Sequence, residues 1–396
     1  MENTKKKLDF LWIVLFAIIF INGFEAGGYQ ASLWHIGQNY DLSVTKMGLF
    51  ASTELFATML APLILGSWAD RNVKTNCIML LLGIQLVAAT LILFTDAQWF
   101  FIGGVFFLGL TTSALQFISI AALADSYPLS GGKKIGYMTS MYALGALTSP
   151  LIVNYYLNKG LPWRTLFALL AIGSLITFIG IIKAKDSVTE DSSITASAKI
   201  GESDSKTVDS HVSKSEFFFV GILLLCVIMC IYVGFENGFA FFVDTLFTDV
   251  LNSTRGKFAL SLFWAVMIPS RILVGHFAPK AKAILIAAIV AIPVITICLS
   301  MMNSDMAVLI LCIPLGFASG AIYPCVLNMM IPLAGKKTGT ATGMITTGTG
   351  IGGFVFTALT GFLGDTFGLR KAMAILAAFF IISLISAIGA LRMSEK

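Results

Sequence analysis

Twelve apolar runs, each long enough to cross a bilayer as a helix, follow one another along the chain with short polar gaps between most of them. They lie at 10–37, 46–66, 75–95, 97–123, 136–158, 164–183, 217–246, 256–276, 283–302, 306–332, 338–362 and 370–391. A membrane-spanning helix needs roughly 20 apolar residues. Runs this long and this numerous leave few other folds open. Only 12% of the 396 residues are charged and 57% are hydrophobic, whereas a soluble domain carries about 25% charged residues. Such a chain lacks the charge to cover a water-facing surface, so lipid must solvate much of it. A membrane barrel is excluded too, because the runs are continuous and lack the ten-residue alternation of outer-membrane strands. The fold class predicted is all-α integral membrane, with twelve helices in two pseudo-symmetric six-helix bundles.

One gap is long. Residues 184–215 hold no aromatic side chain and are rich in Ser, Thr, Asp, Glu and Lys. Such a segment cannot bury a core, and it reads as a flexible linker. It divides the chain into an N-terminal bundle (1–183) and a C-terminal bundle (216–396). Lys and Arg set the orientation. With the N-terminus inside, 18 of them fall on cytoplasmic segments and 7 outside, with Arg271 left in the eighth span. Both termini and the linker are therefore expected in the cytoplasm, in the cell (inner) membrane. The same distribution explains the net charge of +5 without nucleic acid as a partner. Lys5, Lys6 and Lys7 ahead of the first run superficially resemble a signal peptide. That run is too long, contains Glu25 and ends without a small-x-small site, so it is expected to remain as the first span.

The halves repeat each other. GFEAGGYQASLW (Gly23–Trp34) in span 1 matches GFENGFAFFVDTL (Gly234–Leu246) in span 7, and GSWADR (Gly66–Arg71) after span 2 matches GHFAPK (Gly275–Lys280) after span 8. Gly136 and Gly145 in span 5 are spaced as Gly339 and Gly348 are in span 11. Parallel repeats of this kind usually form a substrate path at their interface.

The loop after span 2, GSWADRNVKT (Gly66–Thr75), resembles the signature of the major facilitator superfamily. Gly66, Asp70 and Arg71 match it, Lys74 supplies a further base, and Val73 replaces its second glycine. Pro162, Trp163, Arg164 and Phe167 also follow a pattern common in that family. Within it, YVGFE (Tyr232–Glu236), LSLFWAVMIPSRILVG (Leu260–Gly275) and GFASGAIYPCVLNMM (Gly316–Met330) are similar to segments of the fucose permease-like group, although that group's acid in span 4 has no counterpart here. The resemblance implies two bundles that rock about a central site in alternating access. On the loop itself, Asp70 with Arg71 and Lys74 can pair with bases or cap a helix N-terminus, forming a gate that latches the cytoplasmic side.

Glu25, Glu54, Glu236 and Asp244 lie inside apolar runs. A charge at the bilayer centre costs roughly 2.5–3.5 kcal/mol on insertion scales, so these acids are expected to face a cavity, pair, or be protonated. Glu25 and Glu236 hold equivalent places in the GFE repeat and are the expected proton-coupling residues; Glu54 reads rather as a partner for nearby hydroxyls. Asn22, Glu25, Tyr29 and Ser32 share one face of span 1. The substrate-binding residues expected are Asn22, Tyr29, Gln30, Gln116, Asn237, Asp244, Tyr323 and Asn328, since amides and hydroxyls among aromatic rings suit a sugar-like or organic solute. Arg271 is expected to snorkel to the interface, with binding of an anionic substrate as its rival role. His35 reads as an interface residue.

No catalytic set is present. The histidines His35, His211 and His276 are scattered, and no nucleotide-binding P-loop occurs. The six cysteines lie within or beside apolar runs and read as packing residues. An enzyme is therefore not expected, nor any cofactor or metal. The reading is a monomeric secondary transporter of a small polar solute (sugar-like or organic anion), driven as a proton symporter. A proton-coupled drug or metabolite exporter working as an antiporter is the alternative. Its partners are the solute, protons and the lipid bilayer.

Overall fold

The computed structural model describes residues 2–126, 131–199, 217–334 and 338–394. The helices of the first half are α1 (Glu2–Asn39), α2 (Val44–Arg71), α3 (Lys74–Phe94), α4 (Gln98–Ser126), α5 (Gly131–Asn158) and α6 (Thr165–Lys199). The second half has α7 (Phe219–Thr245), α8 (Gly256–His276), α9 (Ala281–Met301), α10 (Asp305–Ala334), α11 (Thr338–Phe367), α12 (Leu369–Ala378) and α13 (Phe380–Ser394). Lipid offers a backbone no hydrogen bonds, so a spanning chain must satisfy its N–H and C=O groups within each segment. Eleven spans are long and apolar enough to cross a membrane by length and composition. α5 completes the twelve; its Gly, Thr and Ser content makes it the least apolar.

Two spans differ in outline from the sequence reading. The seventh continues past α7 in a π-helical turn, Leu246–Val250, and the twelfth is split into α12 and α13 at Phe379. α6 continues beyond the expected end at 183. Residues 200–215 of the predicted linker lie outside the described residues, as do the side chains of Asp70, Asp125, Lys133 and Lys134.

The duplication is visible in packing. α1 packs on α5 as α7 packs on α11; α2 on α4 as α8 on α10; α3 on α6 as α9 on α12 and α13. Glycines allow the closest of these approaches. A Cβ on Gly23 would collide with the backbone of Tyr142, and one on Gly145 with that of Phe20. In the second half a Cβ on Gly348 would stand 3.0 Å from the Cys226 carbonyl oxygen. Small residues are what let membrane helices meet backbone to backbone. The turns repeat as well. Asp41 after α1 and Asn252 after α7 both take left-handed φ, 50° and 51°, and so do Gly160 after α5 and Gly368 after α11, at 80° and 83°. Asp, Asn and Gly are the residues that tolerate that region.

The chain termini lie at one end of the bundle, called here the terminal end; the opposite end is the far end. At the far end of the first half, Arg164 pairs with Asp96 at 2.7 Å and stacks on Trp163. Trp163 in turn packs edge-on against Phe101 and Phe167. That assembly gives the Pro162–Phe167 segment a physical purpose: it pins the α5–α6 turn to the α3–α4 turn.

Candidate functional site

The two halves meet through α2 with α11, α5 with α8 and α1 with α7. Between them lies a cavity of about 870 Å³. Its inner part is bounded by Gln30, Glu54, Thr112, Gln116, Glu236, Asn237 and Trp264, and it runs along α2 and α11 to Leu63, Gly66 and Gly343 near the terminal end. Gly66 and Gly343 have no heavy atom within 4 Å of where a Cβ would stand, so the helices are parted there.

The far end is shut by contacts that cross from one half to the other. The Asp365 carboxylate, at the end of α11, accepts the Val44 and Thr45 backbone N–H groups at 2.9 and 2.8 Å. These are orphan donors at the start of α2, where the helix dipole favours negative charge. Below them, a Cβ on Gly48 would lie 3.0 Å from Gly361 Cα, so the two helices touch through bare backbone. Ser52 Oγ donates to the Phe354 carbonyl at 3.0 Å, and Trp34 Nε1 donates to Asp249 at 2.7 Å. At the cavity's inner wall, Trp264 Nε1 donates to Gln30 Oε1 at 3.2 Å, again across the halves.

The expected site residues divide into three groups. Gln30, Gln116, Asn237 and Glu236 line the cavity. Asn237 Nδ2 is held by the Val233 carbonyl at 2.9 Å. The Tyr232 hydroxyl donates to Glu236, and Arg271 lies close enough to interact with both. Arg271 itself lines the cavity, as its sole basic residue among those described, and its Nε is buried with no hydrogen-bond partner among the described residues. The snorkelling expected of Arg271 is thus corrected: its side chain turns toward Glu236, because an acid within reach is a better partner than the bilayer surface.

A second group is buried away from the cavity. Asn22 Nδ2 donates to the Thr112 carbonyl at 3.0 Å and Asn22 Oδ1 accepts from Gln85 at 3.5 Å. Ser174 donates to Gln85 at 3.2 Å. Together these residues tie α1, α3, α4 and α6 through a polar network inside the first bundle. Glu25, 1% exposed, borders it through a hydrogen bond with the Thr112 side chain. Tyr29 packs edge-on against Phe241 across the halves, its ring fully enclosed. Asp244 is taken by Lys257, whose Nζ lies 2.7 Å from it in a buried ion pair near the far end. Asn22, Tyr29 and Asp244 therefore do not line the cavity; each is spent on packing or pairing.

A third group lies outside it. Tyr323 is 39% exposed, and Asn328 Nδ2 donates to the Pro324 carbonyl one turn back on the same helix at 2.9 Å. Neither lines the cavity. Of the expected gate, Arg71 is exposed and the Asp70 side chain lies outside the described residues. The residues passed over are Trp264, Thr112 and Asp365. Trp264 had a signal, being an indole in mid-span. Asp365 had none beyond a lone acid after a Gly-rich stretch.

Comparison with known proteins fits this geometry. The model of the Major Facilitator Superfamily matches residues 15–357. The glucose/mannose transporter GlcP of Bacillus subtilis is 23% identical over 81% of this chain and 80% of its own length. The TsgA homolog of Buchnera aphidicola is 24% identical over 83% and 82%. Among solved structures, a bacterial homolog of the human lysosomal transporter Spinster, inward-facing and occupied, superposes with a TM-score of 0.73 at 14% identity, covering 97% of each chain. A peptide transporter bound to sulfate gives 0.74 at 11% identity, covering 97% of this chain and 95% of that one. Twelve spans in two matched halves, a cavity between them and a family match over most of the length lead to one assignment: the chain belongs to the Major Facilitator Superfamily, whose members are transporters of small solutes and not enzymes.

Proposed function

We propose that this transporter moves a small polar solute of sugar-like character through the cell membrane by alternating access, driven by proton symport. The terminal end faces the cytoplasm in this reading, so the described state is open inward and shut outward. The observation that carries the proposal is the composition of the cavity. Gln30, Gln116 and Asn237 offer amides, Thr58, Thr112, Ser113 and Thr347 offer hydroxyls, and Trp264 and Phe241 offer rings. A polyol needs that combination of paired donors and acceptors with apolar faces. The kinship with a glucose/mannose transporter supports the same substrate class.

Glu25 and Glu236 supply the proton-binding acids. Glu236 opens to the cavity and Glu25 lies one layer behind it in the first bundle. A second reading, transport of an organic anion, is favoured by one observation: Arg271 presents a guanidinium beside Glu236 in the cavity wall.

The test is solute uptake into proteoliposomes of the purified full chain. Hexoses, organic acids and hydrophobic cations are offered with the pH gradient imposed in either sense. Hexose accumulation when the outside is acidic supports the proposal. Accumulation of organic acids instead favours the second reading. Cation movement against the gradient in the opposite sense makes the protein an exporter and ends both.

A further inference from the structure

We infer that Glu54 is the gateway acid of this carrier: Glu54 and Glu25 share one exchangeable proton, and cavity water reaches Glu25 through Glu54. The inference rests on the proton-coupled reading above and adds a residue to it.

Glu54, on α2, lines the cavity, whereas Glu25, on α1, does not. Both are nearly inaccessible, at 4% and 1% exposure. Glu54 packs against α4 at Gly109 and Glu25 bonds to Thr112 three residues further along it, so the two acids sit against one stretch of α4. Each has one oxygen, Oε2, without a hydrogen-bond partner among the described residues. The described titratable or charged groups that face the pair are Tyr29 on α1, Tyr142 on α5 and, farther off, Glu236 on α7 and Arg271 on α8. Arg271 acts on Glu236, Tyr232, Tyr323 and Tyr142, and the acid it faces is Glu236. Among the described residues the pair has no cation of its own.

Two buried carboxylates on one stretch of helix without a counter-charge are costly to ionise together. One proton shared between them is the state that resolves this, and the two acids then titrate as a unit. Thr112 completes the arrangement. It lines the cavity, bonds the Glu25 carboxyl and receives Gln85 Nε2 at 3.5 Å, so Glu25 is held in place by the bundle's own network. Glu54 packs on α4, where a Cβ on Gly109 would come within 3.0 Å of its Cγ and closer still to its backbone carbonyl. The transfer balances simply. Within the singly protonated pair the Glu25 O–H bond breaks as one forms on Glu54, Glu54 then trades that proton for one from cavity water, and the return transfer restores Glu25, so the pair holds one proton before and after.

The experiment reads carboxyl C=O bands by infrared difference spectroscopy on the purified full chain in lipid, titrated with pH and exchanged into D2O, with no solute added. Removing either acid, as Glu25→Gln or Glu54→Gln, is expected to displace the titration of the other by about tenfold or more in proton concentration, while Glu236→Gln leaves both in place. Deuterium exchange of the Glu25 band is expected to slow at least tenfold in Glu54→Gln and to recover in Glu54→Asp. Exchange of the Glu54 band is expected to be unchanged in Glu25→Gln. Independent titrations, or exchange at Glu25 that ignores Glu54, would overturn the pair. Uptake that ignores the pH gradient, with the coupled titration intact, would instead remove proton coupling from the proposed function and leave the pair standing.

Discussion

Asp365 holds the far end shut, and Asp365→Ala measures how firmly. Its carboxylate takes two backbone N–H groups of α2 at 2.9 and 2.8 Å. Loss of a helix N-cap costs about 0.5–2 kcal/mol, and a charge at a helix N-terminus contributes roughly 0.3–1 kcal/mol at an exposed site. These overlap, since one carboxylate does both. Ser43 remains as an internal cap, its Oγ 3.4 Å from the Lys46 amide, and limits the loss. The net cost falls only on the state in which the halves meet, and about 1–2 kcal/mol is the reasonable sum. That is a shift of about five- to thirtyfold toward the state open at the far end. The assay is the labelling rate of a cysteine placed at Ser52, which lies buried at the seal, in a background lacking the six native cysteines. An impermeant maleimide is added from the outside. Labelling should rise by that factor in Asp365→Ala, and by less in Asp365→Asn, which keeps one acceptor and loses the charge. An unchanged rate in both variants would refute the reasoning, because with Ser52 replaced the seal would then rest on the glycine contact and the Trp34–Asp249 bond.

Three other outcomes follow from contacts already described. Lys257→Met leaves Asp244 charged and buried without its partner, which costs about 3–5 kcal/mol; thermal unfolding should show a large loss, and Lys257→Met with Asp244→Asn should recover most of it. Glu25→Gln should abolish pH-driven accumulation while counterflow exchange of the same solute persists, and uphill uptake at the normal level would contradict the role given to Glu25. Arg271→Gln separates the two substrate readings: hexose uptake should keep its KM within a few-fold, whereas an organic-acid carrier should lose affinity by about tenfold or more, the worth of a charge-assisted pair, as read from concentration-dependent uptake.

The fold was legible because lipid leaves a chain so few options. Long apolar runs can only be helices there, and the GFE and glycine repeats announced the duplication before any coordinate. The site was less legible, for reasons that differ by residue. Asn22 and Glu25 sit on a polar helix face, and polarity alone does not tell a cavity wall from a buried network; Gln85, on another helix, decides it. Asp244 reads as an unpaired acid because its base, Lys257, lies across a turn at the start of the next span. Arg271 read as a snorkelling base because nothing in one helix reveals that Tyr232 and Glu236 stand opposite. Asp365 is the clearest case. Its function depends on the amide groups of α2, which every sequence possesses and none displays.

The vacant space at Gly66 and Gly343 has a consequence for arresting the carrier. In the described state a side chain at either glycine meets nothing, so Gly66→Val should fold and melt much like the parent. In alternating access the space it fills is where α2 and α11 must come together when the terminal end closes. Such a substitution acts as a wedge: it is silent in the resting molecule and obstructs the stroke. Purified Gly66→Val should therefore keep its thermal stability and lose turnover, with its far end no longer opening to label. A carrier that can be stopped in one state without being weakened is a convenient form in which to capture its solute.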